Sequence, residues 1–320
     1  MLLRRIERTD LRVSALCLGG NVFGWTCDEP TSFAVLDAFV AGGGNFIDTA
    51  DVYSTWVPGH GGGESETIIG RWMQARKNRE RIVIATKVGS RMAGDPQQEG
   101  LSRKNIMEAV AGSLYRLQID YIDLYQAHFD DPATPLTETL SALNDLVKQG
   151  KVRAIGASNY TAPRLAEALR ISNERHYARY VTLQPHYNLA YREEYERELE
   201  PLCLREGLGV LPYSSLAAGF LTGKYRLGQE LPDTPRAGRV KDRYMNERGF
   251  RILAKVEQIA QKYHATPVQV ALAWLMARPG IVAPIASATS VEQARELLGA
   301  VKLTLTAEDW EELDKVSAWR

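Results

Sequence analysis

Cysteine is scarce in this sequence, with only Cys17, Cys27 and Cys203 among 320 residues. They are odd in number, widely scattered and form no Cys-x-x-Cys pair. That excludes a disulfide framework and leaves reduced thiols, in a cytoplasmic protein, as the expectation. Histidine is also sparse, and the five residues at 60, 128, 176, 186 and 264 show no zinc-like spacing, so no metal is expected. Neither sign of charge is in excess, because 39 Lys and Arg balance 39 Asp and Glu. A neutral chain gives no electrostatic reason to bind nucleic acid or an anionic membrane, so a small molecule is the expected partner. No run of about 18 apolar residues exists to span a bilayer. Charge at Arg4, Arg5, Glu7 and Arg8 comes too early for the apolar centre of a signal peptide. Without secretion, the sequon at Asn159-Tyr160-Thr161 is no acceptor. The oligomeric state is left open by these features.

What is present is alternation. Short β-branched or apolar runs are separated by helical patterns, and no linker divides residues 1–320, which read as one domain. The strand candidates are Leu16–Gly20, Asn45–Asp48, Ile82–Thr86, Tyr121–His128, Val152–Ala157, Val181–Gln184, Gly209–Tyr213 and Ile281–Ile285. Between them Ile106, Val110, Leu114 and Leu117 share one helix face. Leu136, Leu140, Leu143 and Val147 mark a second such face, and Ile252, Val256, Ile259 and Tyr263 a third. Thr31, Ser102, Thr161 and Thr266 with Pro267 signal helix starts, and Lys148-Gln149-Gly150-Lys151 a stop. Strand–helix repetition on this scale means a parallel sheet.

A doubly wound dinucleotide sheet would want Gly-x-Gly-x-x-Gly after its first strand, and the chain has none. The run Gly59-His60-Gly61-Gly62-Gly63 meets Glu64 and fails the pattern. Eight strands predict a closed (β/α)8 barrel of the TIM type, of class α/β. Leu2–Ile6 and Leu11–Val13 read as a β-hairpin capping its N-terminal end, and an extra helix follows at the C-terminus. The Gly59–Gly63 loop reads either as a mobile lid or as a solvated turn. Residues 226–248, rich in Gly, Pro and charge, read as a long loop after the seventh barrel strand, the kind that serves as a lid.

A barrel keeps its chemistry at the C-terminal ends of its strands. Ionisable residues stand there: Asp48 ends the second barrel strand, Lys87 the third and His128 the fourth, with Tyr53 on the loop after Asp48. Each alone has a plain structural reading as a cap, a packed ring or a solvated end. Together in one mouth they define a chemistry. A free phenol, with a pKa of about 10, is a poor acid at neutral pH. A neighbouring ammonium stabilises the phenolate and lowers that pKa. A carboxylate holds the ammonium in place, and an imidazole orients a carbonyl oxygen. The set predicts a proton donor for a carbonyl receiving hydride. No nucleophile has its own base, which argues against acyl transfer. A hydrolase using Asp48 or Asp51 with water is the weaker enzymatic reading.

At these residues the chain resembles the aldo-keto reductase superfamily along nearly its whole length. The matching segments are Gly44-Asn-Phe-Ile-Asp48-Thr-Ala-Asp-Val-Tyr53, Ala85-Thr-Lys87, Tyr121–His128, Gly150–Asn159 and Leu183–Leu189. Pro212–Tyr225 resembles the bacterial and potassium-channel-β-subunit-like branch. The resemblance implies an NADP(H)-dependent reductase of aldehydes and ketones, NAD(H) being the alternative cofactor. Tyr53 would be the general acid, Lys87 would tune it, Asp48 would pair with Lys87, and His128 would position the carbonyl. Gly20 and Asn21 would lie beside ribose and phosphates. Ser158, Asn159 and Gln184 would meet the carboxamide, and Tyr213 would stack on the nicotinamide. Ser214, Leu216 and Lys224 would fold over the pyrophosphate, and Ser287, Thr289 and Gln293 would reach the adenosine end. Trp25, Trp56 and Tyr191 would shape an aromatic substrate pocket. Many members carry an arginine after the last strand that grips the 2′-phosphate of NADP. Here hydroxyls replace it, with Arg295 nearby. The other reading that the resemblance allows is a nucleotide-sensing interaction protein with little turnover.

Overall fold

The computed structural model describes residues 2–93 and 98–320. The chain begins with an antiparallel hairpin of β1 (Leu3–Arg5) and β2 (Arg12–Ser14). Eight parallel strands follow: β3 (Cys17–Gly19), β4 (Phe46–Asp48), β5 (Val83–Val88), β6 (Ile122–Ala127), β7 (Val152–Ser158), β8 (Tyr180–Gln184), β9 (Gly209–Val210) and β10 (Ile285–Ala286). They pair in the order β10-β3-β4-β5-β6-β7-β8-β9. The ring closes where Val210 and Val282 exchange backbone bonds with the facing segment and the Ile285 N–H donates to Pro212 O at 2.8 Å. The last run yields a strand only at Ile285–Ala286 because Pro284 has no N–H to give the ladder, although its carbonyl accepts from Cys17.

Helices surround the ring: α1 (Glu29–Ala41), α2 (Glu64–Arg76), α3 (Arg103–Leu117), α4 (Leu136–Lys148), α5 (Ala162–Arg175), α6 (Glu200–Glu206), α7 (Ala237–Tyr244), α8 (Glu247–Lys262), α9 (Pro267–Met276), α10 (Val291–Gly299) and α11 (Ala307–Ser317). None is long and apolar enough to cross a membrane. Ser102, Thr161 and Thr266 cap their helices as their types predict, Thr266 in a reciprocal box with Gln269. Thr31 does not begin α1. Asp28 does, accepting the Thr31 N–H at 2.9 Å, so that Pro30 falls in the first turn, where a missing N–H costs nothing.

One further expectation changes. Residues 226–248 are not wholly loop, because α7 forms within them. Val240 and Tyr244, four apart, bury one face, and Tyr244 stacks on Phe220 with centroids 6.0 Å apart. The polar composition of the rest of the segment hides that stripe. The Gly59–Gly63 loop is exposed at Gly59 and Gly61 and tied down where it enters α2. Glu64 accepts the N–H groups of Gly61 and Gly62 at 3.0 and 3.2 Å. At Gly63, where φ is 86°, a Cβ would stand 2.3 Å from the Arg116 side chain.

Strand alternation divides the core. Ile6, Leu11 and Val13 of the hairpin pack under Cys17, Phe46, Val83, Ala85, Leu124, Ala154, Val181, Leu211, Val282, Ala283 and Ile285, which fill the lower barrel. Outward strand residues such as Ile47, Ile84 and Tyr125 join the larger cluster beneath the helices. Since side chains on one strand face repeat every second residue, the inward set fixes what points into the upper mouth. Asp48 follows Phe46, Lys87 follows Ala85, Gln126 and His128 follow Leu124, Tyr213 follows Leu211 and Ser287 follows Ile285, each at an even spacing.

Candidate active site

Lys87 is fully buried and at the centre of this mouth. Its Nζ donates to Asp48 Oδ2 at 2.6 Å, to Thr49 O at 2.8 Å and to Tyr53 Oη at 2.9 Å. All three ammonium protons are thereby used. Burial pulls the lysine pKa down, but the Asp48 carboxylate and the Tyr53 hydroxyl outweigh it and hold Lys87 above its ordinary range. Asp48, 2% exposed, is held from its other oxygen by Gln184 Nε2 at 2.9 Å and Gln126 Nε2 at 3.3 Å. Tyr53 is half-buried, on a turn that Ser54 anchors through its Oγ bond to Phe23 O. Its pKa is raised, because burial outweighs the Lys87 cation. The expectation of a lowered phenol pKa therefore fails for the protein by itself: the ammonium limits the rise without reversing it.

His128 approaches Tyr53 edge-on with centroids 6.1 Å apart and bonds Ser90 Oγ through Nδ1 at 3.0 Å. Burial, then the Lys87 charge, pushes its pKa well below 6.5, so the imidazole is neutral. Ser90 was not foreseen, since nothing in the sequence marks a serine three residues beyond a lysine as a histidine partner. Asp51 is buried with an unpartnered Oδ1, and burial beside Glu66 raises its carboxyl to about 8. Such a group favours the neutral acid, not the ionised base the hydrolase reading needs.

Of the other predicted residues, Ser158, Asn159, Gln184 and Tyr213 come together. Ser158 Oγ donates to Gln184 O at 2.9 Å, and Tyr213 Oη donates to Asn159 Oδ1 at 2.9 Å. Asn159 Nδ2 donates to His128 O at 2.9 Å, joining this group to the first. Ser287 Oγ donates to Asn21 Oδ1 at 2.5 Å, and a Cβ at Gly20 would crowd Ser65 Oγ. Thr289 donates through N and Oγ1 to Gln293 Oε1 at 2.8 and 3.0 Å. Ser214 and Leu216 lie on the turn after Tyr213, and Ser214 Oγ accepts the Ala218 N–H.

Trp25 and Trp56 meet edge to face at 5.4 Å, and Trp56 lies 6.0 Å from the Tyr53 ring. Phe129 stacks on His128 at 4.9 Å. Trp56 and Phe129 keep 47% and 49% of their surface in solvent, an exposed apolar rim beside the buried polar cluster. Tyr191 does not join them. It stacks on His186, which in turn stacks on Tyr213, so Tyr191 stands two rings behind the mouth.

Sequence reasoning also missed Arg236. Its guanidinium lies 5.5 Å from the Trp25 ring, so the segment after β9 reaches across to the loop after β3. Burial and then Arg239 lower its pKa, and burial and then Arg236 lower that of Lys224. Among the described residues, no carboxylate acts on either cation. Partly desolvated cations without anions fit a polyanionic ligand such as a dinucleotide.

By architecture this is a (β/α)8 barrel whose polar cluster occupies the mouth at the C-terminal ends of its strands. The family described as Aldo/keto reductase family matches residues 15–318. The protein is 37% identical over 308 residues to the Bacillus subtilis (strain 168) protein named Uncharacterized oxidoreductase YrpG, covering 95% of this chain and 92% of that one. It is 35% identical over 318 residues to norsolorinic acid reductase of Aspergillus flavus, covering 95% and 78%. It is 33% identical over 338 residues to Protein tas of Escherichia coli (strain K12), covering 98% and 96%. The chain belongs to the aldo/keto reductase family. It is thus an oxidoreductase of the carbonyl-reducing kind, in a family that uses nicotinamide nucleotides.

Proposed function

We propose that this protein reduces aldehydes or ketones to alcohols, or runs the reverse, with Tyr53 as the proton donor and NADP(H) as the preferred cofactor. The observation that carries the reading is the Lys87 ammonium bonded at once to Asp48 and to the Tyr53 hydroxyl in the barrel mouth. When bound, the nicotinamide supplies or takes up the hydride. Tyr213 gives it a flat aromatic face, and Ser158, Asn159 and Gln184 stand beside that ring to meet the carboxamide. Lys224 and Arg236 supply charge for the phosphates, with Ser214 and Leu216 on the covering turn. Gly20, Asn21, Ser287, Thr289 and Gln293 would meet the ribose, phosphates and adenosine end of the nucleotide.

The reaction on the protein side is a single proton movement. The substrate carbonyl oxygen sits between Tyr53 Oη and the neutral His128, which orients it by a hydrogen bond. As negative charge gathers on that oxygen, Tyr53 gives up its proton, and Lys87 stabilises the phenolate left behind. Asp48 keeps Lys87 charged and in place. Trp25, Trp56 and Phe129 offer apolar ring surface beside the phenol and favour flat, apolar carbonyl compounds.

Thr289 and Gln293 offer hydrogen bonds but no charge to a 2′-phosphate. NADP(H) and NAD(H) should therefore differ in KM by less than they would with an arginine there. The test is steady-state oxidation of both reduced nucleotides against a panel of carbonyl compounds, with Tyr53→Phe alongside. The substitution should lower kcat by about 10²–10⁴ and leave nucleotide affinity nearly unchanged. A Tyr53→Phe enzyme with normal turnover would remove Tyr53 from the role.

A further inference from the structure

His186 is buried and leaves β8 two residues after Gln184. All four sides of its ring are engaged. One face stacks on Tyr191 at 4.0 Å and 16°, the other on Tyr213 at 5.3 Å and 18°. Its edge faces α7: Nε2 lies 3.0 Å from Tyr244 Oη and Nδ1 lies 3.3 Å from Arg243 Nη1. A guanidinium has no acceptor, so Nδ1 must accept, and the ring proton sits on Nε2 and is donated to Tyr244. Asn188 Nδ2, 3.4 Å from Nε2, is then no partner for it and instead donates to Ser214 O at 3.0 Å. Burial, then Arg243 and Arg239, hold the imidazole down to about 3, so this tautomer persists through the neutral range.

The geometry points to His186 as a positioning residue that locks α7, and the segment bearing Arg236, onto the Tyr213 platform, so that it governs how fast nucleotide leaves. The inference rests on the proposed place of the nicotinamide against Tyr213. Its logic is connectivity. The residues after Tyr213 fold back to put Arg236 over Trp25, and α7 is the next element along that path. Val240 and Tyr244 anchor α7 by burial, but burial alone does not specify register along a groove. The two ring nitrogens do, because one must accept and the other donate. A histidine serving only to fill space would be replaced without loss by another flat ring.

The experiment uses His186→Phe, which keeps both stacks and removes both edge contacts. NADPH release is followed by stopped-flow fluorescence on the full chain. His186→Phe should release NADPH about tenfold faster, the effect of losing one to two ordinary hydrogen bonds. The single-turnover hydride rate at saturating NADPH should stay near wild type. Tyr244→Phe should also speed release, and the His186→Phe/Tyr244→Phe double variant should be no faster than His186→Phe, since both act through one contact. His186→Gln, whose amide nitrogen reaches the Nε2 position, should restore most of the slow release. Wild-type release from His186→Phe, or single effects that multiply in the double variant, overturns the assignment while leaving the reductase reading intact. A wild-type protein that binds neither NADPH nor NADH overturns the reductase reading itself, and this inference with it.

Discussion

Lys87→Met separates what the buried ammonium does for stability from what it does for chemistry. The substitution keeps the volume of the stem but deletes three hydrogen bonds, to Asp48, Thr49 and Tyr53. Asp48, at 2% exposure, is then left with only the amides of Gln184 and Gln126 as partners. Breaking a buried pair on one side typically costs about 3–5 kcal/mol. Urea denaturation should show that loss as a lower midpoint at unchanged slope. Adding Asp48→Asn removes the orphan charge, so the double variant should recover much of the stability.

Activity should not recover with it. Burial already raises the Tyr53 pKa, and Lys87 is the first opposing influence. Without the cation the phenol becomes a still weaker acid, and kcat should fall by about 10²–10⁴ in both variants. The pH sign follows from linkage. Lys87 has a folded pKa above its ordinary value, so the stability its pair contributes is fully present below about pH 10 and is lost only as pH climbs through the folded value. The stability gap between wild type and Lys87→Met should thus be constant through the neutral range. A Lys87→Met protein of wild-type stability, or a double variant that regains turnover along with stability, would refute the coupling of charge, phenol and carboxylate.

Three further outcomes are expected. Asp51 has a folded pKa of about 8, against about 3.9 unfolded, so the folded state binds the extra proton and stability should fall as pH rises across that window. Thermal midpoints measured against pH should show this slope, and Asp51→Asn should flatten it; an unchanged slope would place the proton elsewhere. His128 is held neutral well below 6.5, so the pH profile of kcat/KM for reduction should lack an imidazole limb near neutrality. An acid limb near pH 6.5 that disappears in His128→Asn would contradict that. Thr289→Arg should lower the KM for NADPH about tenfold or more while leaving NADH unaffected, since one charge-assisted bond to phosphate is worth about 1.5–3 kcal/mol; equal effects on both nucleotides would mean that the 2′-phosphate lies elsewhere.

How much of this was legible beforehand depends on what sets the direction of each side chain. On a strand, direction follows from position. Once Phe46, Ala85 and Leu124 are read as inward, Asp48, Lys87 and Gln126 must point inward too, and the cluster in the mouth follows from the alternation. Seven of the eight runs, the hairpin and three of the four helix starts are readable for the same reason: their local chemistry and their global role agree, whereas the run Ile281–Ile285 overlaps its strand only at Ile285. Loops carry no such rule. Arg236 reaches Trp25, His186 is gripped by Tyr244 and Arg243, and Ser90 bonds His128 only because tertiary packing brings distant segments together. The direction of the Tyr53 pKa shift was misread on the same ground, because the pair with Lys87 is local and visible while the burial that outweighs it comes from the whole fold. Tyr53 is itself a loop residue, so the alternation that fixes Asp48 and Lys87 does not place it. Its position depends on the left-handed turn at Ser54, where φ is 77°, and on the Ser54 bond to Phe23. Replacing Ser54 by alanine removes that bond from a turn that stays left-handed, so the phenol should lose its aim and steady-state kcat should fall while Lys87 and Asp48 stay in place; unchanged turnover would show that the bond does not position Tyr53.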